Sequence, residues 1–370
     1  MFKTDVIFSG YYGMRNTGDD AFVEVAQWAS NKYWNVDNIR FLAKTVNLPS
    51  TKAGAKGFPL TIPKTYSIQQ AMLLRNTKWL IMAGGSIFNS VEKGSIKDVA
   101  STLKQQGNKI KLGAVGVSVG PFKNIEHEKQ IIEYLKIMEF ISVRDNRSYN
   151  FLKSLNLDFE PIASFDLAAL LPEVYSVKEK SFEMNKEMIG ISFNNEESHF
   201  NGDLNKEKKR RNFIIELLKS LKNKRNYMFR FFIINDNDKV GDFSVTQEVI
   251  NKSGLINYEI IQYNKSVEET WNKISECSLM ISSRLHASIF ACFANIPFFL
   301  IEYHEKCTDF LNDVGQNSNY ILGDGDVDPN RIVYQISEIL ENKESYIPPK
   351  FKNEMIEKSR LNFTNVNFEI

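Results

Sequence analysis

Short runs rich in Val, Ile and Phe alternate with stretches in which apolar residues recur every three or four positions. Runs at 5–9, 39–43, 79–82, 111–115, 140–143 and 159–163 predict strands, and 21–32, 96–106 and 126–136 predict helices between them. Strands separated by amphipathic helices need crossover connections, so the pattern predicts a parallel sheet. A charged stretch without apolar period, 172–187, reads as a linker. A second alternating series runs through 188–193, 212–222, 228–234, 258–262, 271–276, 279–282, 287–294 and 297–302. A helix at 331–342 and a polar tail complete the chain. The expected organisation is an N-terminal α/β domain over 1–175, a C-terminal α/β domain over 188–330, and a helix with tail over 331–370. Two doubly wound, Rossmann-like domains facing a cleft is the economical architecture, with ligands beyond the carboxyl ends of the strands.

Composition narrows the class without changing this picture. The 370 residues are 43% apolar and 25% charged, the balance of a globular protein. Lys and Arg (46) nearly cancel Asp and Glu (45), leaving +1, so no nucleic-acid partner is indicated; local basic patches stay open. The three cysteines, Cys277, Cys292 and Cys307, lack paired metal spacing and are odd in number, which fits a reducing compartment. The amino-terminal run is too short for a signal peptide, and the longest apolar stretch, 287–301, is broken by Asn295 and Pro297. A cytoplasmic protein without an integral membrane segment is expected, with room for peripheral contact at the inner face of the membrane.

Candidate chemistry gathers at four strand ends. After the first strand, "GYYGMRNTGDDAF" turns on glycine and opens a helix at Asn16, Gly18, Asp19 and Asp20. The acidic pair stabilises a helix start and would repel a phosphate, and the Rossmann glycine fingerprint is missing, so a hydroxylated ligand such as a sugar suits the loop. A capped turn with no ligand explains the same residues. Gly84, Gly85 and Ser86 follow another strand; paired glycines there expose amides to a ligand or relieve helix packing. In "ISVRDNRSYNF", Arg144 falls at a strand end, positioned for an anion or for a structural pair with Asp145 or Asp166.

The fourth is "LMISSRLHASIFACFANIPFFLIEYHEK". Ser283 is suited to cap a helix whose first turn holds Arg284 and His286. Positive charge at a helix start is unfavourable, so Arg284 calls for compensation, and an anionic ligand would supply it. The helix terminus depresses and an anion raises the pKa of His286, a balance suited to proton transfer. A satisfied core histidine is the bland alternative. Lys306 follows the next strand end within reach of the same pocket. His127 and His199 read as surface residues. The acidic loop at 236–242 lacks the closing Glu of a calcium loop and is rejected as a metal site.

These stretches, with "SFDLAALL" and "IGISFN", resemble the polysaccharide pyruvyl transferase family, in that family's order from the first strand to about Val314. The Arg-Leu-His element is the most specific. The resemblance implies a fold similar to the two-domain GT-B glycosyltransferase type. It also implies transfer of a pyruvyl group from phosphoenolpyruvate to two hydroxyls of a sugar, giving a cyclic ketal and phosphate, in polysaccharide synthesis for the cell envelope or an exopolysaccharide. By matched position His286 looks like the general acid, and Arg144, Arg284 and Lys306 look like donor-binding cations. Phosphoenolpyruvate would be a co-substrate, with no cofactor or metal, and the acceptor a glycan or lipid-linked saccharide. The acceptor is expected in the first domain, at Asn16–Asp20 and the segment 48–67. The competing functions are a nucleotide-sugar GT-B glycosyltransferase and a non-catalytic glycan-binding relative.

Overall fold

The computed structural model describes residues 3–58, 65–175, 187–195, 197–198 and 202–370. Its internal contacts divide the chain into two units. One comprises Met1–Met14, Asp19–Leu170 and Glu354–Ile370; the other comprises Arg15–Gly18 and Leu171–Asn353.

In the first unit, strands β1 (Thr4–Ser9), β2 (Ile39–Phe41), β3 (Thr77–Ala83), β4 (Lys111–Val117), β5 (Phe140–Val143) and β6 (Ile162–Ala163) form a sheet in the order β2-β1-β3-β4-β5-β6. Every pairing is parallel. A parallel sheet is covered on both faces, and β1, β3 and β4 are accordingly almost wholly buried. Ile7, Leu80, Leu112 and Ile141 centre the core on one face. The strand order reverses between β1 and β3.

The second unit repeats the design with β7 (Met188–Ser192), β8 (Met228–Phe232), β9 (Tyr258–Ile261), β10 (Leu279–Ser282) and β11 (Phe298–Leu300), ordered β11-β10-β7-β8-β9 and parallel throughout. Ile189, Ile191, Phe229, Phe231, Leu279 and Ile281 pack with Leu217 and Ile336 from flanking helices. The reversal here lies between β7 and β10.

The domain limits expected from sequence need revision at two places. Arg15–Gly18 cluster with the second unit although they follow β1. The polar tail is a helix, Lys352–Thr364, most of which returns to the first unit. There Asn362 is fully buried: its Oδ1 accepts from Ser142 Oγ (2.6 Å) and Ser164 Oγ (2.8 Å), and its Nδ2 donates to the carbonyls of Phe165 and Ser359 (both 2.9 Å). Polar groups do the anchoring, so an apolar pattern gives no sign of it. Of the linker expected at 172–187, Leu171–Val174 is helical and residues 176–186 lie outside the described residues, as do 59–64 and His199.

Candidate functional site

Where the strand order of a parallel sheet reverses, the adjoining crossovers leave to opposite faces and open a crevice at the carboxyl ends. In the second unit the two strands at that point are stitched together. The Ser283 amide donates to the Ser192 carbonyl (2.9 Å), the Asn194 amide donates to Ser283 Oγ (3.0 Å), and Ser283 Oγ donates to Asn194 Oδ1. Ser283 is spent on this stitch. The residue at the cap of the Leu285–Phe293 helix is Arg284, in extended conformation and without a side-chain capping bond.

Arg284 has a different counter-charge from the ligand expected. Asp242 is fully buried, and its Oδ1 accepts from Arg284 Nη2 (2.6 Å) and Nε (2.9 Å). The other oxygen of Asp242 accepts the Asn235 amide (2.9 Å), while the Asp242 amide donates to the Asn235 carbonyl (2.7 Å). The acidic loop dismissed as a calcium site therefore carries the carboxylate that neutralises and aims the guanidinium. Charge-assisted, forked contacts of this kind fix orientation as well as charge.

His286 stands in the first turn of the same helix, half-buried. The loop Arg15–Gly18 lies directly against it. Thr17 donates its amide to the Ile234 carbonyl (2.9 Å), and the Asp236 amide donates to the Arg15 carbonyl (2.9 Å), so the loop is tied to the end of β8. Arg15, at φ 61°, pairs with Asp236 and with Asp238 (2.9 Å). Asn16 Oδ1 accepts the Gly18 amide (2.9 Å). A Cβ on Gly18 would fall 2.2 Å from His286 Nδ1, so only glycine lets the loop seat beside the imidazole. Asn16 and Gly18 thus join His286 in the second unit, which corrects their expected placement with the first. Lys306 is half-buried in the first turn of the Glu305–Val314 helix that follows β11, the neighbour of β10.

In the first unit, Asp19 and Asp20 begin the Thr17–Trp34 helix; Asp20 is buried. Tyr12, also buried, donates its hydroxyl to the Ala83 carbonyl (2.9 Å) and so links the β1 and β3 ends at this sheet's reversal. Burial and then the Asp19 charge push its pKa well above the ordinary value. Gly84 has φ 71°, and a Cβ there would meet the Phe22 ring at 2.3 Å, which favours helix packing as the reason for that glycine. Gly85 has φ 76°, and its carbonyl accepts the Ser118 amide (2.9 Å). Ser86 Oγ is buried without a hydrogen-bond partner among the described residues. Lys97, which sequence reading passed over, donates to the Ile87 carbonyl (2.5 Å), and burial lowers its pKa to about 8 against the raising effect of Glu92.

Arg144 lies apart from that reversal, at the end of β5. Its Nη1 donates to Asp166 (2.5 Å) and its Nε to Ser118 Oγ (3.0 Å), with the side chain 10% exposed. Of the two roles open to Arg144, the structural pair with Asp166 is in place.

The profile of the family described as polysaccharide pyruvyl transferase matches residues 55–305. The chain belongs to that family. The match spans β3 to β11 and includes Arg144, Arg284 and His286. No curated protein matches the chain. Among solved structures, it is similar to UDP-GlcNAc 2-epimerase from Methanocaldococcus jannaschii (13% identity, TM-score 0.59, covering 96% of this chain and 97% of that one). It is also similar to UDP-GlcNAc 2-epimerase from Neisseria meningitidis (11% identity, TM-score 0.58, 97% of each chain). At such identities the likeness shows the fold alone, and this pyruvyl transferase relative has the GT-B type expected from its sequence. The family makes it a transferase.

Proposed function

We propose that the chain transfers the pyruvyl group of phosphoenolpyruvate to two hydroxyls of a saccharide. The observation that carries the reading is His286 beside Arg284 at the β7/β10 reversal, with Asp242 and Gly18 holding both in place. His286 delivers a proton to the methylene carbon, and a sugar hydroxyl bonds to C2 and gives up its proton. Phosphate then leaves with its electron pair from C2, and the second hydroxyl attacks the resulting oxocarbenium centre. One of the two hydroxyl protons ends on the new methyl group and the other on phosphate, so no oxidant or reductant is needed. Arg284 and Lys306 hold the donor's carboxylate and phosphate, the anions that forked and point-like cations recognise best.

The saccharide acceptor binds at Asn16 and Gly18, beside His286. Arg144, in the first unit, keeps its pair with Asp166 and has no part in this reading. A nucleotide-sugar reaction is the second reading, favoured by the fold shared with the Neisseria meningitidis epimerase bound to UDP-GlcNAc. The protein is to be incubated with phosphoenolpyruvate and a panel of glycans, with phosphate release and product mass followed together. Ketal mass with equimolar phosphate is expected, and turnover should persist in excess chelator. Nucleotide release from a sugar donor, with no phosphate from phosphoenolpyruvate, would replace this reading with the second.

A further inference from the structure

At the amino-terminal ends of β3 and β4 lies a cavity of about 520 Å³, at the edge of the first sheet opposite Gly84–Ser86. Arg75, Lys78, Lys109 and Lys111 line it together with Trp79, and Glu369 and Ile370 also stand in its wall. Lys111 sits over the Trp79 ring, 5.2 Å from its centre, and Lys78 pairs with Asp5 (2.8 Å). Four cations in one opening stand out in a chain whose net charge is only +1.

An apolar ridge runs up to this cavity. The Tyr66–Leu74 helix buries Leu74 in the core but leaves Ile68 63%, Met72 49% and Tyr66 43% exposed. Arg75 caps that helix with helical dihedrals, φ −60° and ψ −21°. Ile68, Met72 and Arg75 are spaced four and then three residues apart, so they share one helical face. One surface therefore offers apolar side chains and then clustered basic groups.

We propose that this face docks on an anionic lipid bilayer. The ridge enters the headgroup boundary, and the cations of the cavity take lipid phosphates. A soluble phosphate would occupy the basic cavity but leaves the ridge without a role. The inference is independent of which reaction the other end of the sheet performs.

The full chain is to be sedimented with vesicles of phosphatidylcholine alone and of an equal mixture with phosphatidylglycerol. Binding to the mixed vesicles only, weakened by salt, is expected. The double variant Arg75→Gln/Lys109→Gln should lower the partition by roughly 30-fold, since each basic group near such a surface contributes about fivefold. Ile68→Ser/Met72→Ser should lower it too and leave the residual binding more salt-sensitive. Melting temperatures close to the parent's would show that both variants fold. Equal binding to neutral vesicles, or mixed-vesicle binding untouched by the charge variant, overturns the proposal. So does calorimetric binding of inorganic pyrophosphate at the cavity without any vesicle binding, which would make it a site for small soluble anions.

Discussion

Two arginines end strands in this protein, and each is gripped by a buried aspartate. Arg144 meets Asp166 at the end of β5, and Arg284 meets Asp242 at the end of β10. As ion pairs they are nearly interchangeable. They differ in what surrounds them. Arg284 lies where the strand order of its sheet reverses, at the cap of a helix that also carries His286. Arg144 lies two strands away from its sheet's reversal, and its Nε donates to the Ser118 hydroxyl. A buried arginine therefore needs no ligand to explain it, because an aspartate suffices in both places. Position relative to the crossover is what separates a residue suited to binding from one suited to bracing.

The largest expected effect belongs to the side chain that only the Arg284 region possesses. His286→Ala should cut turnover by roughly 10²–10⁴-fold, the usual contribution of general acid catalysis, while phosphoenolpyruvate still binds by calorimetry. Normal turnover in that variant would put both arginines on the bracing side of the comparison.

The next test uses glycines, one from each unit. Gly18→Ala drives a methyl group into the imidazole of His286, whereas Gly84→Ala drives one into Phe22 at a left-handed backbone position. Gly18→Ala should lower turnover by as much as about 10²-fold through misplacement of the acid. Gly84→Ala should instead lower the melting temperature, with activity per folded molecule preserved. Kinetics and thermal unfolding on both variants give the answer, and a reversal of the two patterns would move the site.

Arg284→Gln and Arg144→Gln then test the arginines themselves. Loss of a charge-assisted contact should raise the KM for phosphoenolpyruvate by roughly 10- to 100-fold for Arg284. A clearly smaller change is expected for Arg144, accompanied by lower stability, since buried Asp166 would lose the guanidinium that Arg144 gives it. Equal KM changes would overturn the distinction drawn between the two arginines.

Much of this comparison was legible in the sequence. Alternating apolar runs gave both sheets because parallel strands buried on two faces must be nearly continuous in apolar residues, as Trp79–Ala83 of β3 and Leu279–Ile281 of β10 are. The strand-end positions of Arg144, Arg284 and His286 followed from the same runs. Partners did not follow. Asp242 lies 42 residues before Arg284 in a loop whose acidic spacing was tested only against calcium. Arg15–Gly18 follow β1 in sequence yet bind the end of β8, a long-range pairing that periodicity does not encode. Asn362 anchors its helix through hydrogen bonds, which hydropathy cannot register.

The smallest effect is a pH dependence confined to the first unit. Burial lowers Lys97 to about 8 from the ordinary 10.5. Between those values the unfolded chain holds the proton that the folded chain has released, so stability should rise with pH across that window. Denaturant titrations from pH 8 upward should show the rise, and Lys97→Met should remove it. A fall in the parent protein over the same range would mean that the lysine stays charged when folded.

The return of the Lys352–Thr364 helix sets an order of events during synthesis. Domains ordinarily fold in the sequence in which they leave the ribosome. Here the strands of the first unit wait for a helix made after the second unit: the hydroxyls of Ser142 and Ser164 acquire their shared acceptor, and Trp34 its stacking partner Phe368, only once Leu171–Asn353 have been translated. The unit begun second is finished first. A nascent chain released near residue 353 would leave a completed C-terminal unit attached to an N-terminal one without its closing helix, a natural target for chaperones and proteases.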